Sequence, residues 1–222
     1  MRYLITLLII LTVLVSGCIL QDQFVETADS CSSLEGSAKD DCYLEAKKCS
    51  KITNQLTRDN CVVELAKIKE DIKVCDLITT DNIKSHCYQE IAVVTNNHEL
   101  CANIDDQYWG NNCHYNLAIN GNMSQYCALI DNLEQKKDCY KTIALAIADP
   151  LLCNFLAGVE GEACIYKIAR ANKDINVCDY LKHSFDQDVC RVNIAKKSED
   201  KSKCVLVQHK KLRNECLEHF NS

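Results

Sequence analysis

The chain has one proline and six glycines in 222 residues. Antiparallel sandwiches and barrels need turn residues about every ten positions, so this scarcity argues against an all-β fold. Also missing are a P-loop, a dinucleotide-type glycine motif, a GxSxG elbow, an HExxH pair and any CxxC. With them go the usual sequence grounds for nucleotide chemistry, serine or zinc hydrolysis, thioredoxin-type exchange and zinc ribbons. The six histidines, His86, His98, His114, His183, His209 and His219, follow no metal-ligand spacing. Surface or turn positions are expected for them, and neither a metal nor a cofactor is called for. Lysine and arginine are absent from residues 85–135, and the chain beyond Arg2 carries a net charge of −7. Nucleic acid is therefore not an expected partner.

What the chain does have is cysteine: seventeen residues, approaching the density of a disulfide scaffold. Such a composition belongs outside the reducing cytosol. Residues 1–17 read as a secretory signal, with Arg2, an unbroken apolar run and small residues at its end. The segment Leu14-Val15-Ser16-Gly17-Cys18 resembles the lipobox of prokaryotic lipoproteins. That resemblance implies a diacylglyceryl group on the Cys18 thiol, with Cys18 the first residue of the mature protein and residues 18–30 a short linker. Beyond Cys18 no strongly apolar segment approaches twenty residues, so the remainder is expected to be soluble and exported.

Setting Cys18 aside leaves sixteen cysteines in a periodic pattern. The first of each pair falls at 31, 49, 75, 101, 127, 153, 178 and 204, and the second at 42, 61, 87, 113, 139, 164, 190 and 216. The prevailing period of 26 residues marks an array of one supersecondary unit. Three residues after each first cysteine stand Leu34, Ile52, Ile78, Ile104, Ile130, Leu156, Leu181 and Val207. Four after the second stand Leu65, Ile91, Leu117, Ile143, Ile168 and Ile194, each followed by alanine. Cysteine and aliphatic residue at i and i+4 share one helical face, and alanine beside them allows close helix approach.

Helix starts are marked by Asp71, Asn97, Asp149, Asp174 and Asp200, four residues before a first cysteine, with Pro150 directly after Asp149. One repeat departs from this, offering Asn122 or Ser124 around Met123. Each unit reads as a short helix, a polar turn of about four residues such as Thr79–Asn82 or Gly158–Gly161, and a second helix of ten to twelve residues. Between Cys42 and Cys49 the gap is seven residues instead of fourteen. Two missing helical turns in the first unit's second helix would account for it without rotating the apolar face.

Two disulfide schemes fit the hairpin. Pairing within repeats uses all sixteen cysteines, from Cys31–Cys42 to Cys204–Cys216. Pairing across the longer gaps strands Cys31 and Cys216 and requires Cys42–Cys49, about 10 Å apart if they share a helix. Within-repeat pairing is therefore expected. A two-helix hairpin of this size buries too little apolar surface to fold alone, and closing a loop of about twelve residues contributes roughly 3 kcal/mol in the chain-entropy model. The expected fold is an all-α solenoid of about eight short disulfide-linked αα hairpins across residues 31–222.

Units such as CDLITTDNIKSHCYQEIA and CALIDNLEQKKDCYKTIA resemble the cysteine-rich helical repeats of uncharacterised lipoproteins found mainly in archaea, and the resemblance covers Cys31 to Cys216. It implies architecture and address, and almost nothing about activity. The hairpin also looks like mitochondrial twin-CX9C proteins, which join each hairpin by two bonds, a spacing not supplied here.

Three features stand out as candidate contacts. Asp105, Asp106, Tyr108 and Trp109 put the sole tryptophan and two carboxylates in what reads as an inter-helix turn, suited to a cation or a sugar, although an acidic solvated face with tyrosines packed as core is the plainer reading. Asn122-Met123-Ser124 is a glycosylation sequon. Residues 191–222 carry eight bases against four acids, suited to a terminal cap or to anionic surfaces. The expectation is a non-enzymatic scaffold or ligand-binding lipoprotein, held on the extracytoplasmic face of the membrane by lipid at Cys18, with an envelope protein or glycan as partner. The alternative is a thiol-dependent redox enzyme or a metal-sequestering protein whose cysteines stay reduced.

Overall fold

The structure, a computed structural model, describes residues 30–221. The signal segment 1–17, Cys18 and all of the linker up to residue 29 lie outside the described residues. Among those described there are only helices, and they alternate strictly between short 3-10 and longer α elements. The α-helices are α1 (Gly36–Glu45), α2 (Gln55–Lys69), α3 (Asp81–Val94), α4 (Gln107–Gly121), α5 (Leu133–Ile147), α6 (Val159–Asn172), α7 (Ser184–Ser198) and α8 (Lys210–His219). A short helix precedes each, and six of the eight short helices are six residues long, as in Ile72–Leu77 and Pro150–Phe155.

Sixteen cysteines are disulfide-bonded. The bridges Cys31–Cys42, Cys49–Cys61, Cys101–Cys113, Cys127–Cys139, Cys153–Cys164, Cys178–Cys190 and Cys204–Cys216 hold Cα atoms 5.5 to 5.8 Å apart. Each repeat is thus closed on itself, as the even count and the chain ends require. Around each clip the backbone repeats as well. The carbonyl of every first cysteine accepts from the amide three residues on, as in Ile78 N to Cys75 O at 3.1 Å, which ends the short helix on the aliphatic position, buried in every repeat but the first, where Leu34 is exposed.

Two expectations need correction. The second helices are longer than ten to twelve residues, with 14 or 15 in α2 through α7, because residues assigned to the turn form their first turn instead. Asp81 opens α3 and Val159 opens α6, leaving links of two or three residues. Asn54, Asp106 and Asn132 cap α2, α4 and α5, each accepting from the amide three residues later.

The junctions between repeats explain the period. Glu70, Asn96, Asn122, Ala148, Lys173 and Glu199 all adopt left-handed backbone, with φ from 50° to 57°. The next amide reaches back to the carbonyl of the repeat alanine: Asp71 to Ala66, Asn97 to Ala92, Met123 to Ala118, Asp149 to Ala144, Asp174 to Ala169 and Asp200 to Ala195, at 2.8 to 3.3 Å. This is a Schellman closure. Apart from Met123, the same residue then caps the following short helix with its side chain, accepting from the amide two residues on. Met123 makes no such bond, and neither Asn122 nor Ser124 replaces it as the cap. At five junctions a single Asp or Asn therefore ends one helix and starts the next.

The seven-residue gap is resolved by the same geometry. From second cysteine to left-handed residue is nine positions in later repeats but five between Cys42 and Lys47; from there to the next first cysteine is five positions but two between Lys47 and Cys49. Four residues are missing from α1 and three from the short helix Cys49–Lys51, one α-turn and one 3-10 turn. Removing both turns from α1 alone, the expected solution, would have taken the left-handed link out of register.

The described residues form two compact units, the first ending at Lys84 and the second beginning at Ser85, divided within α3. In the first, α1 packs on α2. In the second, α4 to α8 pack in succession, and each short helix from Ser124–Leu129 onward lies against its own second helix and the preceding one, which is the sequential packing of a solenoid. A continuous apolar cluster runs there from Ala118 to Ile194, so neighbouring hairpins share one core. The repeat alanines are fully buried, and so are Ile91, Leu117, Ile143, Ile168 and Ile194.

A polar contact fixes the register of neighbours. Two residues before the second cysteine, buried Asp40 accepts from the amides of Thr53 and Asn54 at 2.8 and 2.9 Å. Buried Asp59 accepts from the Thr80 amide at 3.1 Å and from both threonine hydroxyls. Asn111 accepts from Asp131, and Asp188 from Gln208 and His209. Each carries the start of the following repeat's second helix. For Asp40 the Thr53 amide, followed by that of Asn54, holds the carboxyl below its ordinary range. Burial alone would raise Asp59 and Asp188, but donors from Thr79 and Thr80 outweigh it for the first, and the amides of Gln208 and His209 with Arg191 for the second.

Two outcomes are expected from these junctions. Lys173→Gly should raise stability by roughly 0.5–1 kcal/mol, since only glycine adopts a left-handed link freely, whereas Lys173→Val should lower it, both read from denaturant midpoints. Asp59→Asn should cost about 1–2 kcal/mol at neutral pH. Because the folded carboxyl titrates below its unfolded value of 3.8, its contribution is complete above about pH 5 and is lost as pH falls through the folded pKa. The gap between wild type and Asp59→Asn should accordingly close in acid.

Candidate functional site

The aromatic segment lies at the start of α4, in the unit of residues 85–222. It is not a loop, contrary to the expectation, because Asp106 caps the helix: its Oδ1 accepts from the Trp109 amide at 3.0 Å, which puts Tyr108 and Trp109 in the first helical turn. The cap fixes where the tryptophan points and uses one oxygen of the carboxylate. Asp105 is exposed and has no hydrogen-bond or ion-pair partner among the described residues.

Trp109 is half-buried against Ala92, Cys101, Ile104, Cys113 and Leu117. Two rings meet it edge-on. Tyr108, 68% exposed, lies 5.6 Å away by ring centroids at 79°, and His86 of α3 lies 5.6 Å away at 63°. His86 Nε2 is in turn 3.6 Å from Glu90 Oε1, one helical turn along. Beside the expected Asp105, Asp106, Tyr108 and Trp109 stands His86, which no motif in the sequence marks and which arrives from the preceding repeat. The repeat spacing could have found it: His86 precedes the second cysteine Cys87 by one position, on the helix packed beside α4. Chemically the cluster offers one indole backed by apolar core, two perpendicular aromatic edges and carboxylates at its border. A sugar ring or an organic cation can stack on such a surface.

The expectation that the tyrosines pack as core holds only in part. Tyr88, Tyr115 and Tyr126 are half-buried, while Tyr108 is exposed. Tyr115 donates to Asp138 Oδ2 at 2.8 Å. The histidines also divide differently from the surface-or-turn expectation. His183 and His209 do precede helices, and His98 opens a short helix, but His86 and His114 are helical. His114 is half-buried with Nδ1 unpartnered; burial first, then His98, push it below the usual histidine range, while Asp131 opposes them. Its imidazole is neutral at pH 7. No group of three or more His, Cys, Asp or Glu among the described residues is arranged to hold a metal ion.

Asn122 is exposed and left-handed, immediately before the junction residue Met123. The Met123 side chain folds back over Gly121, close enough that a Cβ there would meet its Cε at 2.5 Å. The sequon thus occupies the one junction from Asp71 to Asp200 that has lost its capping carboxylate or amide. In the C-terminal region Arg191 is not a free surface base. Its guanidinium bonds Asp188 at 2.7 Å and also Asp179, tying α7 to the short helix before it. Among the described residues no helix is long and apolar enough to cross a membrane. Comparison of the chain with protein-family models, with curated proteins and with solved structures finds no match.

Proposed function

We propose that the chain is a lipid-tethered extracytoplasmic protein whose clipped hairpins form a non-enzymatic binding array, with the Trp109 cluster as its ligand contact. The observation that carries this reading is the disulfide bonding of all sixteen cysteines from Cys31 to Cys216. A fold that needs every one of them oxidised suits an exported protein and leaves no thiolate among the described residues for redox chemistry or metal capture. The tether rests on Cys18 and the small residues before it. A partner of the envelope, protein or glycan, follows from the address. The chemistry of the contact follows from His86, Tyr108 and Trp109, whose rings suit a flat, weakly polar face such as a sugar.

Intact mass of the natively isolated protein tests the address. The expected value is that of residues 18–222 with two hydrogens lost per bridge and a diacylglyceryl group added. Unmodified Cys18, or more than two reactive thiols per denatured, unreduced chain, would overturn it in favour of thiol chemistry. Trp109→Ala should abolish binding in a glycan array while leaving the helical circular dichroism unchanged.

A further inference from the structure

The missing turns between Cys42 and Cys49 leave something behind. In an antiparallel hairpin the residues before the first cysteine run beside those after the second, so the absent 3-10 turn exposes the far side of α2. Leu65 shows the consequence. Its counterparts Ile91, Leu117, Ile143, Ile168 and Ile194 are at most 1% exposed, whereas Leu65 is only half-buried. It lines a hollow of about 700 Å³ within the unit that ends at Lys84.

The hollow has an apolar floor and a basic rim. Val62, Leu65 and Leu77 form the floor, and Leu77 is 66% exposed. One of the matching pairs in the later unit is Tyr140 and Phe155, whose rings stack with centroids 4.0 Å apart. Two aliphatic side chains cannot close the space as two stacked rings do. The rim is Lys47, Lys48, Lys51 and Arg58, and no carboxylate lines the hollow. The three lysines are exposed and have no ion-pair partner among the described residues. Arg58 Nε lies 4.0 Å from Asp59, whose carboxylate is already committed to Thr79 and Thr80.

We infer that this hollow is a docking site for an anionic glycerophospholipid of the membrane to which the chain is tethered. Charge complementarity selects the headgroup phosphate for the lysines, and the apolar floor accepts the glycerol and first methylenes. Position supports the same occupant. Ser30 lies twelve positions after Cys18, so the first hairpin lies within roughly 40 Å of an anchored Cys18 at full extension. The hollow is built from that hairpin's exit and the next two repeats. Lipid docking there would hold the N-terminal hairpins against the bilayer. This placement rests on the tether proposed above, but the chemistry of the hollow does not.

The test uses the lipid-free mature chain, residues 18–222 with Cys18→Ser, in co-sedimentation with vesicles of pure phosphatidylcholine or of phosphatidylcholine mixed with phosphatidylglycerol. Binding is expected only to the anionic vesicles and should weaken as salt is raised. Replacing Lys47, Lys48 and Lys51 together by glutamate should weaken it about a hundredfold, since each basic residue near an anionic surface contributes roughly a fivefold factor. Leu77→Asn, at a position exposed enough to leave the core intact, should weaken it about fivefold with no change in charge. The double variant Lys210→Glu, Lys211→Glu on α8 should bind as wild type. Equal binding to neutral vesicles, displacement by millimolar inorganic phosphate, indifference to the rim or to Leu77→Asn, or an equal loss on changing α8 would each overturn the site. Mass at Cys18 reports the tether separately, so either idea can fail without the other.

Discussion

The fold depends on one covalent constraint, the bond that closes each short helix onto its partner. A 3-10 helix of six residues has poor hydrogen-bond geometry and too few bonds to repay its nucleation in water. Clipped at its centre to a longer α-helix, it loses most of the freedom that would otherwise melt it. The first cysteine is also the residue whose carbonyl ends the short helix, and in every repeat after the first the aliphatic side chain three positions on enters the core. Fixing that cysteine therefore fixes the end of one helix, the direction of the link and the placement of a core residue together. Side chains at these positions stay small and aliphatic because the bridge has already set the distance they must fill.

Bridges within repeats cannot by themselves set how one hairpin meets the next. That is done by the left-handed link with its Asp or Asn, and by the carboxylates of Asp40, Asp59 and Asp188 reaching forward to amides of the following repeat. The two devices differ in how uniformly they recur. The link is present in all seven junctions, whereas the forward contact is replaced elsewhere by Ser85, Lys137, Glu162 and Asn214. Backbone geometry is thus the common joint, and the buried carboxylate is an addition in some repeats. Its worth comes from neutralising two helix-start amides at once in a place water does not reach.

Much of this was legible because periodicity exposes it. Cysteine spacing, the aliphatic positions and the Asp or Asn before most short helices could be read by superposing repeats, since each position admits a narrow class of side chain. The left-handed links were not legible. Lys47, Glu70, Ala148, Lys173 and Glu199 have no preference for that conformation, and the surrounding clips and closures impose it at some cost. The helix starts were misjudged because Asp and Asn mark both turns and caps; the side chain of Asp106 looks the same in either, and only its bond to Trp109 N distinguishes them. His86 was missed for a different reason: its partner lies in the next repeat, and no single-repeat motif contains both.

The same comparison shows where binding chemistry is to be sought. Positions that obey the repeat are accounted for by folding, so a ligand contact has to come from positions that break it. Three breaks stand out: the rings at the start of α4, Met123 where a capping side chain belongs, and the seven residues lost before Cys49. The last differs in kind from the other two. No unusual residue announces it, for Leu65 has the same aliphatic character as its counterparts and is left half-buried because three residues are missing from a different helix. A deletion acts at a distance across the hairpin, and the lysines around the opening acquire a meaning that their exposed positions alone would not give them. In an array held by covalent clips such losses are tolerated, because the bridge on either side keeps the register while the surface between them changes.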